Sequence, residues 1–279
     1  MSLSKNISET QLPVTETLLL EVKDHALFVT INRPKSRNAM SLQMVHELVS
    51  VFESIENNLI IRAVVLRGTG GHFCAGGDIK DMAGARAAAS KNTETDPFYT
   101  LNREFGRMLT IANQIPQTLI VVTEGAVLGG GFGLACISDV ALSSATAKFG
   151  LPETGLGIPP AQIAPFVVSR IGITQARRLA LLGTRFDGHE AYRLGIVHEV
   201  HESADELNNA LDTVLLQVKR CAPEANRLTK SLILAVNHEP LDLLLDNAAK
   251  SFSASVQGAE GQEGTMAFIQ KRDPSWLID

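Results

Sequence analysis

Two glycine-rich turns constrain this chain more than any other feature: Phe73-Cys74-Ala75-Gly76-Gly77-Asp78 and Gly129-Gly130-Gly131-Phe132-Gly133. Each follows a short apolar run that reads as a strand, and the second opens into a helical pattern. Glycine lets the backbone turn sharply and lets a ligand approach bare N–H groups. Two such turns, brought together, aim two N–H donors at one oxygen. That arrangement is an oxyanion hole, a device that stabilises a thioester enolate.

The segments around the turns read as a layered α/β chain. Leu18–Lys23 and Ala26–Ile31 are strands around a turn at Asp24-His25. Ser41 is a helix N-cap, followed by Met44, Val45, Leu48, Val49 and Phe52 at helical spacing. Residues 61–66 form the next strand, and residues 118–122 a buried strand leading to the second turn. Between them, residues 83–97 are rich in Ala, Ser, Thr, Lys and Asp and predict a mobile surface segment, a candidate lid. Residues 101–115 read as a helix. Beyond residue 162 the pattern is helical, over 161–169, 174–182, 188–194, Ala204–Arg220, 223–236, 241–256 and Ala259–Gln270. The expected division is a loose leader over 1–17, an α/β core over 18–203 and a helical appendage over 204–279.

Composition excludes several classes. Of 279 residues, 45% are hydrophobic and 20% charged, so the chain can build a core. A formal net charge of -5 weighs against nucleic acid as the main partner, although a local basic patch stays open. Cys74, Cys136 and Cys221 have no C-x-x-C spacing, which suits reduced intracellular thiols. The longest apolar stretch, 126–137, is too short and glycine-interrupted to span a bilayer. Residues 1–17 lack the apolar core of a signal peptide, so the expected location is cytoplasmic.

Several motifs are absent. The second turn places Leu134 where a dinucleotide fingerprint needs its third glycine. There is no Walker A sequence and no G-x-S-x-G elbow. His198-Glu199-Val200-His201 lacks zinc-helix spacing and reads as a surface strand end, so no metal is expected. Cys74 is flanked by apolar residues and reads as a packed thiol.

The ordered set Asn32-Arg33-Pro34-Lys35-Ser36-Arg37-Asn38-Ala39, Phe73 to Ile79, Gly129-Gly130-Gly131 and Phe149-Gly150-Leu151-Pro152-Glu153 resembles the crotonase (enoyl-CoA hydratase/isomerase) superfamily. Residues 259–264, Phe268 and Lys271-Arg272 are similar to that family's C-terminal signature, so the likeness covers residues 18–276. It implies an α/β spiral of ββα units with a C-terminal helical trimerisation region. It also implies an acyl-CoA substrate with no separate cofactor, and a homotrimer or dimer of trimers. Residue by residue, it places the oxyanion hole at the Gly77 and Gly130 N–H groups. It places CoA contacts at Lys35, Arg37 and Ala39, with Ala75, Asp78, Ile79 and Lys80 around the same pocket. Phe268 and Lys271 match positions that reach the CoA of a neighbouring subunit. Lys35 and Arg37 also make chemical sense in a loop that meets phosphates.

One position departs from the family pattern. Enoyl-CoA hydratases of this superfamily carry two glutamates, one of them three residues after the second oxyanion glycine. Here that residue is Gly133, and only Glu153 remains. Its apolar neighbours predict a raised pKa, which suits proton transfer near neutral pH. One carboxylate suffices either to hydrate an enoyl thioester or to shift a double bond, so hydratase and Δ3,Δ2-isomerase both stay open. A non-catalytic acyl-CoA-binding or RNA-binding protein is a third reading, disfavoured by the acidic charge and by Glu153. Residues 131–134 and 158–167 resemble the bacterial branch that hydrates glutaconyl-CoA-type substrates, including 3-methylglutaconyl-CoA and isohexenylglutaconyl-CoA. Such substrates carry a second carboxylate, for which Arg86, Arg103 and Arg107 are candidate partners.

Overall fold

Nearly continuous apolar strands demand cover on both faces, and the chain supplies it. The computed structural model describes residues 12–89, 95–236 and 238–278. Strands β1 (Leu18–Lys23) and β2 (Ala26–Ile31) pair antiparallel around Asp24, which holds the turn at a φ of 52°. β2 then pairs parallel with β3 (Ala63–Gly68), β3 with β4 (Thr118–Thr123), β4 with β6 (Val140–Ser144), and β6 with β9 (Glu199–His201). A second, smaller sheet has the order β5 (Ala126–Leu128), β7 (Lys148–Gly150), β8 (Arg185–Phe186).

Alternation along the strands sorts side chains into two cores. Val64 and Leu66 join the larger one, with Met44, Leu48 and Phe52 of α1 (Leu42–Ile55). The expected Ser41 cap is present: its hydroxyl accepts the Met44 N–H at 3.2 Å. Ala63 and Val65 face the other way, onto Leu207, Leu211, Val214 and Val218 of the helix Ala204–Arg220. That helix therefore covers one face of the main sheet.

The remaining helices are α2 (Ile79–Ala89), α3 (Pro97–Gln114), α4 (Gly130–Ile137), α5 (Ala164–Leu182), α6 (Gly188–Arg193), α7 (Ala204–Arg220, just described), α8 (Pro223–Ala235), α9 (Leu241–Gln257), α10 (Ala259–Gln270) and α11 (Ser275–Ile278). α8 is stapled to the core by Lys230, whose ammonium donates to Asp139 Oδ2 at 2.6 Å and to the Gln117 carbonyl at 3.0 Å.

Four expectations change. The surface segment predicted over 83–97 is helical through Ala89, because its alanines are strong helix formers even with only Ala85 buried. Residues 90–94 of it lie outside the described residues. Asp96 then caps α3 by accepting the Phe98 N–H, so this helix begins at Pro97 rather than at 101. The two predicted helices over 161–169 and 174–182 run on as α5, with the break reduced to one non-helical residue, Gly172. The leader over 1–17 is not loose at its end. Glu47 accepts the Glu16 and Thr17 N–H groups, and Asn32 donates to the Thr17 carbonyl at 2.7 Å. Residues 1–11 lie outside the described residues.

Candidate functional site

The two glycine turns do come together. Cys74 bridges β5: its N–H donates to the Ala126 carbonyl at 2.8 Å, and its own carbonyl accepts the Leu128 N–H at 2.9 Å. Contact between the turns is so close that only glycine fits at two positions. A Cβ on Gly131 would lie 2.7 Å from the Cys74 Cβ and 2.8 Å from its carbonyl oxygen. Gly129 sits at a φ of 50°, and a Cβ there would lie 2.7 Å from Glu153 Oε1 and 3.6 Å from the Gly76 Cα.

Met40 ties the arrangement to the preceding loop. Its N–H donates to the Gly76 carbonyl at 2.7 Å and its carbonyl accepts the Asp78 N–H at 2.9 Å. This parallel bridge turns the Gly77 N–H to the opposite side. Gly130 is the first residue of α4, where a backbone N–H has no intrahelical acceptor. Among the described residues neither the Gly77 nor the Gly130 N–H has an acceptor. The side chains of Met40 and Phe105 border Gly130, with Met40 Sδ 3.4 Å and the Phe105 ring 3.2 Å from its Cβ position.

Glu153 opens a short 3-10 turn, Glu153–Leu156, after Pro152. Its Oε2 is buried without a hydrogen-bond partner among the described residues. Burial pushes the carboxyl above its ordinary 4.5, opposed only by its own backbone N–H. At Gly133, a Cβ would meet Ile163 at 3.3 Å and Leu109 at 3.5 Å. The place of the family's second acid is thus bordered by apolar side chains. A carboxylate beside two unpartnered N–H groups can move a proton on a substrate whose carbonyl oxygen those donors hold.

The loop carrying Lys35, Arg37 and Ala39 is pinned from within by two residues given no role at the outset. Asn38 is fully buried in the left-handed region, and its amide donates to the Thr69 and His72 carbonyls at 2.9 and 2.6 Å. Arg33 donates to the Ala39 carbonyl and to Asp78 Oδ2, the latter at 2.6 Å. Arg37 in turn accepts the Ala75 N–H at 3.1 Å through its carbonyl. Lys35 and Arg37 are left exposed, with no ion pair among the described residues. Both Arg33 and Asn38 lie in the Asn32–Ala39 motif, which was the available signal.

The Asp78 carboxylate is taken up by Arg33 and by the Lys80 N–H at 2.8 Å, and its own N–H and carbonyl by Met40 and Met82. Burial alone would raise its pKa, but the hydrogen bonds from Arg33 and the Lys80 N–H outweigh it and hold the group below 3.8. Replacing Arg33 with Met removes that partner, and we expect a loss of roughly 1.5–3 kcal/mol in urea unfolding at pH 7. Because the folded pKa is depressed, the stabilisation exists above the ordinary 3.8 and vanishes as pH falls through the lower folded value. The acid-side loss should therefore flatten in Arg33→Met.

Ile79 and Lys80 are exposed at the start of α2. Phe268, 86% exposed, stands on α10, which packs against α9, and Lys271 is its C-cap. No hydrogen bond or ion pair joins them to the glycine turns among the described residues. Cys74 is a packed thiol pushed up to about 11 by burial. His198 accepts the Ala141 N–H at 2.9 Å beside β9, and no group of three or more His, Cys, Asp or Glu among the described residues is arranged to hold a metal. No helix among those residues is long and apolar enough to cross a membrane.

The family model described as enoyl-CoA hydratase/isomerase matches residues 21–277. The chain belongs to this family. It is 31% identical to the short-chain-enoyl-CoA hydratase of Clostridium acetobutylicum, over 91% of this chain and 95% of the relative. It is 28% identical to the 2,3-dehydroadipyl-CoA hydratase of Escherichia coli, over 93% and 98%. Among solved structures, Pseudomonas aeruginosa AtuE superposes with a TM-score of 0.91 at 60% identity, covering 94% of this chain and all 100% of that one. The fold is accordingly the mixed α/β crotonase fold, and the protein is an enzyme of the enoyl-CoA hydratase/isomerase family.

Proposed function

We propose that this enzyme adds water to the double bond of an α,β-unsaturated acyl-CoA of the glutaconyl type. One observation carries the reading: a buried carboxylate oxygen without a partner among the described residues, on Glu153, beside the Gly77–Gly130 pair, with no acid at Gly133 and apolar Ile163 and Leu109 at its border. The Gly77 and Gly130 N–H groups would hold the thioester oxygen. Glu153, ionised, takes a proton from water as the water oxygen bonds to the β-carbon. The electron pair of the double bond moves onto the thioester as an enolate. Protonated Glu153 then returns that proton to the α-carbon on the same face. Water is consumed, and the carboxylate is regenerated. A raised pKa serves both halves, since the group must accept a proton and then give it back.

Lys35, Arg37 and Lys80 would meet the CoA phosphates, with Ala39, Ala75 and Ile79 along the same groove. The glutaconyl assignment is supported by the sequence likeness around 131–134 and 158–167. The Escherichia coli relative, named for a substrate with a terminal carboxylate, also supports it. Phe268 and Lys271 would serve the site of a second copy. The exposed apolar residues Leu181, Leu182, Phe252 and Ile269 suit a homotrimer or dimer of trimers.

Hydration is tested with 3-methylglutaconyl-CoA and isohexenylglutaconyl-CoA in water enriched in ¹⁸O. The expected result is loss of enoyl absorbance with one labelled oxygen per product. Turnover of a 3-enoyl-CoA without label, and none of the 2-enoyl substrates, would instead establish the isomerase.

A further inference from the structure

We propose that Arg103 is the residue that selects a carboxylated acyl chain, pairing its guanidinium with the substrate's distal carboxylate. The inference rests on the glutaconyl reading above and deepens it.

The argument begins with which face of α3 looks at the site. Phe105 borders Gly130, and Leu109 borders Gly133. On a helix, residues 102, 105, 106 and 109 share one face. Gly106 is the close-packed point of that face: a Cβ there would lie 2.0 Å from Gln162 Oε1 and 2.9 Å from Arg103 Nη1. Arg103, although exposed, therefore folds back along its helix towards the glycine.

Gln162 holds it there in a defined orientation. Its Oε1 accepts from Arg103 Nη1 at 2.7 Å, while its Nε2 donates to Asn102 Oδ1 at 2.9 Å. The amide is thus bound at both ends, with its oxygen on the arginine. Gln162 also precedes Ile163, the residue that closes Gly133, on the segment that begins with Glu153. Gln162 consequently ties the guanidinium to the residue next to Ile163, which borders Gly133.

Its pairing differs from that of the next arginine on the helix. Arg107, one turn on, is paired with Glu53 at 2.8 Å and approaches Glu104 at 4.0 Å. Arg103 has no carboxylate within ion-pair distance among the described residues, only a neutral amide. Gln162 uses one of five N–H donors, which leaves a planar fork able to take a carboxylate. Arg86 is exposed on α2 and lacks such a mount.

The test compares wild type, Arg103→Gln and Arg103→Lys on 3-methylglutaconyl-CoA and on uncharged crotonyl-CoA. For Arg103→Gln, the expected change is a roughly 10–100-fold rise in KM for the carboxylated substrate, with kcat/KM for crotonyl-CoA held or improved. Arg103→Lys should recover part of the loss, as a point charge without the fork. Equal losses on both substrates, or an unchanged preference in Arg103→Gln, overturn the role of Arg103 while leaving the glutaconyl reading intact. A wild-type enzyme that hydrates crotonyl-CoA but not the carboxylated substrate overturns both.

Discussion

Glu153→Gln should lose nearly all turnover and gain stability. Proton transfer by a positioned side chain typically contributes about 10²–10⁴ in rate, and the proposed cycle has no second acid to take over. Gly133 cannot supply one, and the side chains at its border, Ile163 and Leu109, are apolar. The stability gain follows from the same burial. The folded pKa of Glu153 is raised above 4.5, so the folded protein holds this proton more tightly than the unfolded chain does. Below 4.5 both states are protonated and the site costs nothing. As pH rises from there to the folded value, the unfolded chain ionises first and stability falls. Above both values the full penalty is present. A neutral amide avoids it, so Glu153→Gln should melt roughly 1–4 °C higher at pH 7, with the difference closing towards pH 4. The kcat/KM of wild type should fall on the acid side through a pKa above 4.5. Retained turnover, or melting points that differ equally at both pH values, would refute the assignment.

Gly131→Ala should be the most damaging single methyl in the site. The added carbon would meet Cys74 at 2.7 Å and the Cys74 carbonyl at 2.8 Å, and backbone cannot yield as the end of a flexible side chain can. Cys74 is itself held by hydrogen bonds to Ala126 and Leu128. Relief must come by parting the two turns, at an expected cost of about 1–3 kcal/mol in chemical denaturation. Parting them also misaligns the Gly77 and Gly130 donors. Loss of one such donor typically lowers kcat about 10²–10³-fold, and a comparable fall is expected here. Gly77→Ala is the internal control for folding: its Cβ position meets nothing within 4 Å and its φ is not positive. Its melting point should match wild type. A stable, fully active Gly131→Ala would show that the turns need not touch.

Local signals served well where one principle acted alone. The first hairpin and the helices Ala204–Arg220 and Ala259–Gln270 were legible to the residue from their sequence pattern. The short strands β5, β7 and β8 were not, because two or three residues carry no period and exist only through their partners. The site divides in the same way. Gly77, Gly130, Gly133 and Glu153 could be singled out along the chain from spacing and family likeness. Arg33, Asn38, Met40 and Phe105 could not, because their work is done on residues far along the chain. Arg33 reaches Asp78, and Phe105 reaches Gly130. For Asp78 the family likeness named a position, and only the fold names its partner, Arg33.

The proposed oxygen-holding donors are main-chain atoms, and that has an evolutionary consequence. A codon change at Gly77 or Gly130 alters the side chain, but only one to proline deletes the N–H itself. Inheritance of the charge-holding element is therefore nearly independent of residue identity. The parts open to drift are the side chains around it: one acid at Glu153, a vacancy at Gly133, a cation at Arg103. A lineage built on this scaffold can change its substrate, or its reaction, through single codons without rebuilding the element that makes thioester chemistry accessible at all.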